Sequence, residues 1–99
     1  MRLTPAQIMV IRRSTAEVFG EQANVWLFGS RVDDSKRGGD IDLLIRPNHL
    51  LERSALTHKI CFIGKLERLF GERKIDVIIE EPGDPRPIIR IAHETGVRL

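Results

Sequence analysis

The chain has 99 residues, of which 41% are hydrophobic and 30% are charged, and its formal net charge is +2. These values predict one small globular domain over residues 1–99 and exclude a disordered chain. One cysteine cannot form an internal disulfide, and no apolar run approaches the roughly 18 residues of a membrane span. The Lys and Arg residues are scattered, so nucleic-acid binding is not favoured. A single cysteine and the lack of a signal-peptide pattern favour a cytoplasmic protein.

The first predicted element is a helix that begins after Thr4 and is stopped by Gly20. Thr4 suits the N-cap, Pro5 suits the first helical position, and Gln7 completes the pattern of a capping box. Two apolar runs then predict strands over residues 25–28 and 41–45. Residues 31–39, which lie between these strands, are polar and predict a turn.

The second half of the chain contains three further predicted elements. A helix is predicted from about Leu50 to Phe70, followed by a strand over Ile75–Ile79 and a short helix over Pro87–Thr95. The long helix is predicted to bury one apolar stripe, which consists of Leu56, Ile60, Ile63, Leu66 and Phe70, widened by Phe62 and Leu69. Cys61 is predicted to be a small core residue. The order of elements predicts an α/β (α+β) domain with a small mixed sheet flanked by helices.

Three carboxylates interrupt the apolar strands. Asp40 and Asp42 alternate at the start of the second strand, so both point to the same face, and Asp76 occupies a similar position in the third. A lone carboxylate among Ile and Val is costly to bury without a partner. If the third strand lies beside the second, the three groups converge, and three oxygen donors of this kind suit Mg²⁺.

A Gly-Ser corner follows the first strand. Gly29 allows a tight turn and a close approach of the backbone to a phosphate, Ser30 offers a hydroxyl and an N–H, and Arg31 offers a forked cation. A phosphate site beside metal-binding carboxylates is typical of phosphoryl or nucleotidyl transfer. Trp26 is predicted to be a core residue, and His49, His58 and His93 are interpreted as bystanders because their spacing fits no metal site.

These motifs resemble those of the minimal nucleotidyltransferase family, which belongs to the DNA polymerase β-like superfamily. The similarity lies in Leu-Phe-Gly-Ser-Arg, then Asp-Ile-Asp-Leu-Leu-Ile, then Ile-Asp-Val-Ile-Ile, and it extends to the closing stretch from Ile91 to Leu99. The resemblance implies a nucleotidyltransferase fold in which Asp40, Asp42 and Asp76 bind two Mg²⁺ ions. It also implies that Gly29, Ser30 and Arg31 contact a nucleoside triphosphate.

The resemblance further implies a partner. Such domains are usually encoded beside a helical protein of the HEPN type, and the MntA-like members silence that protein by attaching AMP from ATP. We therefore expect a nucleotidyltransferase that is the antitoxin of such a pair. The alternative is a non-catalytic antitoxin that neutralises a HEPN-type partner by contact alone. Transfer to RNA or to a small molecule is a less favoured third hypothesis.

Overall fold

The structure is a computed structural model and describes residues 3–29, 41–48, 54–71 and 74–99. The elements in chain order are α1 (Pro5–Phe19), β1 (Asn24–Phe28), β2 (Ile41–Arg46), α2 (Ala55–Phe70), β3 (Ile75–Ile79), α3 (Pro87–Thr95) and β4 (Val97–Arg98). Every predicted helix and strand is present, and β4 is an addition. The prediction of one domain over residues 1–99 includes residues outside these ranges and stays a prediction.

The predicted start of α1 is confirmed in detail. Thr4 Oγ1 accepts a hydrogen bond from the Gln7 backbone N–H at 3.1 Å, and Gln7 Oε1 accepts one from the Thr4 N–H at 2.9 Å. This reciprocal capping box satisfies two of the N–H groups that lack a partner at a helix start. The helix ends before Gly20, whose φ of 104° departs from helical geometry.

The four strands form one mixed sheet in the order β3-β2-β1-β4. β1 is antiparallel to both β2 and β4, whereas β2 and β3 run parallel and are joined through α2. The predicted fold class, a small mixed sheet flanked by helices, is therefore confirmed. β4 was not predicted because it pairs only Arg98 with Trp26 and Val97 with Leu27, which is too short a pattern to recognise in a sequence.

The two faces of the sheet carry different helices. On one, which we call the α1–α2 face, side chains of α1 and α2 pack on the strands, and this cluster includes Ile11, Leu27, Leu43, Phe62 and Leu66. On the other, which we call the α3 face, Ile89 and Ala92 of α3 cover Trp26, Phe28 and Leu44. The burial of Trp26 confirms its prediction as a core residue.

The prediction for α2 was wrong in several positions. The helix begins at Ala55 after an N-cap by Ser54, not at Leu50. Phe62 and Leu66 are fully buried, but the predicted stripe residues Leu56, Ile60 and Leu69 are each more than 60% exposed, and Cys61 is exposed instead of core. The reason is geometric: the apolar residues extend around more of the helix than the sheet and α1 cover.

In the ranges that the structure describes, no helix is both long enough and apolar enough to cross a bilayer.

Candidate active site

The parallel pairing of β2 and β3 brings two of the predicted carboxylates together. Asp42 and Asp76 are direct partners in the register of these strands. Adjacent strands are about 4.8 Å apart, so the two backbones hold these side chains at neighbouring positions on one face. Because Leu44 belongs to the α3 cluster and side chains alternate, Asp42 also lies on the α3 face.

The burial of the two residues differs. Asp42 is half-buried and lies between Asp76 on one side and Phe28 on the other, whereas Asp76 is exposed on the outermost strand of the described sheet. Two adjacent carboxylates repel each other unless a cation or water lies between them. The Asp76 carboxylate is therefore open to solvent, and that of Asp42 is partly so.

Gly29 makes room for the Asp42 carboxylate. Its φ of +77° lies in the left-handed region, which side chains other than that of glycine rarely adopt. A Cβ atom at this position would overlap Asp42 Oδ2. Both the backbone conformation and the space thus require glycine, and the chain leaves β1 directly beside the carboxylate.

The remaining predicted site residues lie outside the described residues. Ser30, Arg31 and Asp40 belong to the segment 30–40, so their predicted roles stay predictions. Within the described ranges, no group of three or more His, Cys, Asp or Glu side chains could hold a metal ion. The described chain thus supplies two hard oxygen donors, a donor type that suits Mg²⁺, and the third predicted ligand belongs to the segment that is not described.

The far end of the α3 face holds a polar cluster that the sequence analysis missed. His93 Nε2 and Glu80 Oε1 are 2.5 Å apart, and the His93 ring packs edge-on against Trp26 at 4.6 Å between centroids. The guanidinium of Arg46 lies 5.0 Å from the centroid of the Trp26 ring. His93 therefore has a structural role, because it connects α3 to the sheet, and its interpretation as a bystander to metal binding and catalysis stays a prediction. Alternation from Asp76 through Ile78 to Glu80 was the signal that could have placed Glu80 beneath α3.

The loop before α3 is held by an ion pair. Arg86 Nη2 donates to Asp84 Oδ2 at 2.7 Å and to the carbonyl of Ile79 at the end of β3, also at 2.7 Å. The side-chain hydrogen bonds from Arg86, together with those from the backbone N–H groups of Glu81 and Arg86, lower the pKa of Asp84 far below its ordinary value. The same contact raises the pKa of Arg86. The loop thereby fixes where α3 begins relative to β3.

Comparison with known proteins agrees with this arrangement. The family model for the nucleotidyltransferase domain matches residues 8–98, which include every helix and strand except the first turn of α1. No curated protein matches the sequence significantly. The general activity of the family is nucleotidyl transfer, and the sheet, the glycine corner and the strand carboxylates are all within the match. The chain belongs to the nucleotidyltransferase domain family.

Proposed function

We propose that the protein transfers AMP from ATP to a protein partner in a Mg²⁺-dependent reaction, and that it acts as the cytoplasmic antitoxin of a HEPN-type toxin. The observation that carries the catalytic part is the pairing of Asp42 with Asp76 beside Gly29. Its support is chemical: hard oxygen donors and a close backbone approach are brought to one strand end, which nucleotidyl transfer requires.

The proposed roles follow from the chemistry of each group. Asp40, Asp42 and Asp76 would hold the metal, and Mg²⁺ when bound neutralises phosphate charge and makes an acceptor hydroxyl easier to deprotonate. Asp76 is exposed, so its carboxylate is also accessible to accept the proton of that hydroxyl as a general base.

The phosphate side of the proposal rests on the Gly-Ser corner. The backbone at Gly29 approaches the Asp42 carboxylate without a side chain in the way. Ser30 would donate from its N–H and hydroxyl, and Arg31 would donate a forked pair of hydrogen bonds to phosphate oxygens. Pyrophosphate would leave while the bond between the α-phosphorus and the acceptor oxygen forms.

A protein acceptor is supported by the resemblance to MntA-like antitoxins and is compatible with the surface of α2. Leu56 and Ile60 are four residues apart, so they share one side of the helix, and each is 64% exposed. Exposed aliphatic pairs of this kind suit a helical partner. The basic residues form no concentrated stripe in the sequence, which makes RNA a less favoured acceptor.

The test is a labelling experiment with the HEPN-type protein that we propose as the partner. The purified pair is incubated with each labelled nucleoside triphosphate, with Mg²⁺ or with a chelator. We expect label from ATP on the partner only with Mg²⁺, and a loss of rate of about a hundredfold or more in the Asp40→Ala, Asp42→Ala double variant. Glu94→Gln, which alters an exposed surface ion pair with Arg90, is the matched control and should label normally.

The same variants decide between the two forms of antitoxin. If the double variant no longer labels the partner and no longer neutralises it, neutralisation is enzymatic. If the double variant still neutralises the partner, the non-catalytic alternative is correct and the enzymatic account of neutralisation fails. Label that enters RNA instead of protein would contradict the proposed acceptor.

A further inference from the structure

A groove lies at the opposite end of β1 from the candidate active site. It has a volume of about 570 Å³ and runs between α1 and the strand start at Asn24 and Val25. Gly29 and Asp42 lie at the other end of β1, which at about 3.3 Å per residue is some 13 Å away along the strand. The groove is therefore separate from the carboxylates.

The lining of the groove is partly aliphatic. Ile8 and Met9 line it from α1, and Val25 and Leu99 line it from the sheet side. Met9 is 61% exposed, whereas Ile11, two residues later in the same helix, is fully buried. An exposed methionine has a flexible, polarisable side chain that adapts to varied apolar groups. The groove thus offers an aliphatic contact surface that no described segment covers.

The charged side chains that line the groove are mostly arginines. The groove lining includes Arg12, Arg13 and Arg98, and its only Asp or Glu among the described residues is Glu21. Among the described residues neither Arg12 nor Arg13 forms an ion pair. Glu17, one helical turn after Arg13, is bound instead to Lys65 at 3.0 Å. The arginines of α1 are consequently available to a negatively charged ligand.

We propose that this groove binds an acidic peptide segment with aliphatic side chains, supplied by a partner protein. The aliphatic side chains would contact the surface around Met9, and the peptide carboxylates would pair with Arg12 and Arg13. A single-stranded nucleic acid fits less well, because no aromatic side chain among the described lining residues could stack on a base. The site is independent of nucleotidyl transfer, since no residue of the proposed catalytic set lines it.

The test begins with selection from a random dodecapeptide display library on the full chain. We expect enriched peptides to combine Asp or Glu with Leu, Ile or Val. The best peptide is then synthesised with a fluorophore, and its dissociation constant is measured by fluorescence anisotropy. Polyuridylate is measured in parallel as the nucleic-acid probe.

The decisive comparison uses two double variants with the same change in net charge. Arg12→Glu, Arg13→Glu should raise the dissociation constant of the peptide about tenfold or more. Each exposed charge pair contributes modestly, and charge reversal adds repulsion. Lys74→Glu, Arg90→Glu changes exposed cations before β3 and on α3, outside the groove lining, and should leave the affinity within about twofold of wild type, since screened charges far from a ligand contribute little. Met9→Ser should lower the affinity for the peptide without any change in the net charge of the protein.

Several results would overturn the proposal. They are enrichment of peptides without acidic residues, equal loss of affinity in the two double variants, and tighter binding of polyuridylate than of the peptide. Failure of selection to enrich any peptide on the wild-type chain would count equally against it. We expect urea unfolding to show that each variant retains the fold, because the substituted residues are all exposed.

Discussion

The two faces of the sheet use the same strands for different purposes. On the α1–α2 face, Leu27, Leu43 and Ile45 are fully buried against two helices. On the α3 face, a smaller apolar centre is flanked by Asp42 and Asp76 at one end and by Glu80 with His93 at the other. Strand alternation separates the two sets. We therefore expect substitutions on the first face to change stability, and substitutions at the carboxylates of the second face to change activity.

The largest effect on stability is expected in the buried half of α2. Phe62→Ala should lower the free energy of unfolding by about 3–5 kcal/mol, because a fully buried aromatic side chain leaves a cavity when truncated. Leu56→Ala on the exposed side of the same helix is the control and should change it by less than about 0.5 kcal/mol. Urea unfolding followed by circular dichroism measures both. Equal effects would show that the partition of α2 into buried and exposed sides is wrong.

The glycine corner allows stability and activity to be separated. Gly29→Ala should cost about 1–2 kcal/mol of stability, because an alanine at this φ is strained. It should also lower the rate of nucleotidyl transfer at least tenfold, since its Cβ displaces the Asp42 carboxylate.

Gly83→Ala is the matched control for that variant. Gly83 has a similar φ of +69°, but a Cβ there meets no atom within 4 Å. We expect a loss of stability from the strained φ alone, without the overlap at Asp42, and a transfer rate that is unchanged once the folded fraction is taken into account. Equal rates in the two variants would mean that the contact between Gly29 and Asp42 has no role in transfer.

A smaller effect is expected in acid. The pKa of Asp84 is lowered by Arg86, so the folded state binds this proton less readily than the unfolded state, whose carboxyl titrates near 3.8. The stabilisation is present above that value and is lost as the pH falls below it toward the lowered pKa of the folded state. Asp84→Asn should therefore be less stable than wild type at pH 6, and the difference should shrink as the pH is lowered from 4 to 2. A constant difference across this range would contradict the assignment.

Much of the fold could be predicted because its signals are local. The capping box at Thr4 and Gln7 and the alternation around Asp42 and Asp76 depend on residues close together in the sequence. β4 could not be predicted in the same way, because two residues become a strand only through pairing with Trp26 and Leu27. The exposure of Leu56 and Ile60 could not be predicted either. Periodicity shows which side of a helix is apolar, but it does not show which of those residues another element covers.

The candidate site, like the fold, could be predicted only in part. Alternation places Asp42 and Asp76 on one side of their strands, and the register between β2 and β3, which only the structure provides, makes them direct neighbours. The pair formed by Glu80 and His93 was missed because it joins a strand end to a helix that follows a loop. The spacing of histidines carries no signal for such a contact.

The most direct test of the central claim is a double-mutant cycle on the rate of nucleotidyl transfer. If Asp42 and Asp76 act as one site, Asp42→Asn and Asp76→Asn should each lower the rate by about a hundredfold or more, and the double variant should be little slower than either. Urea unfolding should show all three variants folded. The claim that the two carboxylates form a single catalytic pair would be contradicted by an Asp76→Asn variant with the wild-type rate. It would also be contradicted if the rate losses of the two single variants multiplied in the double variant.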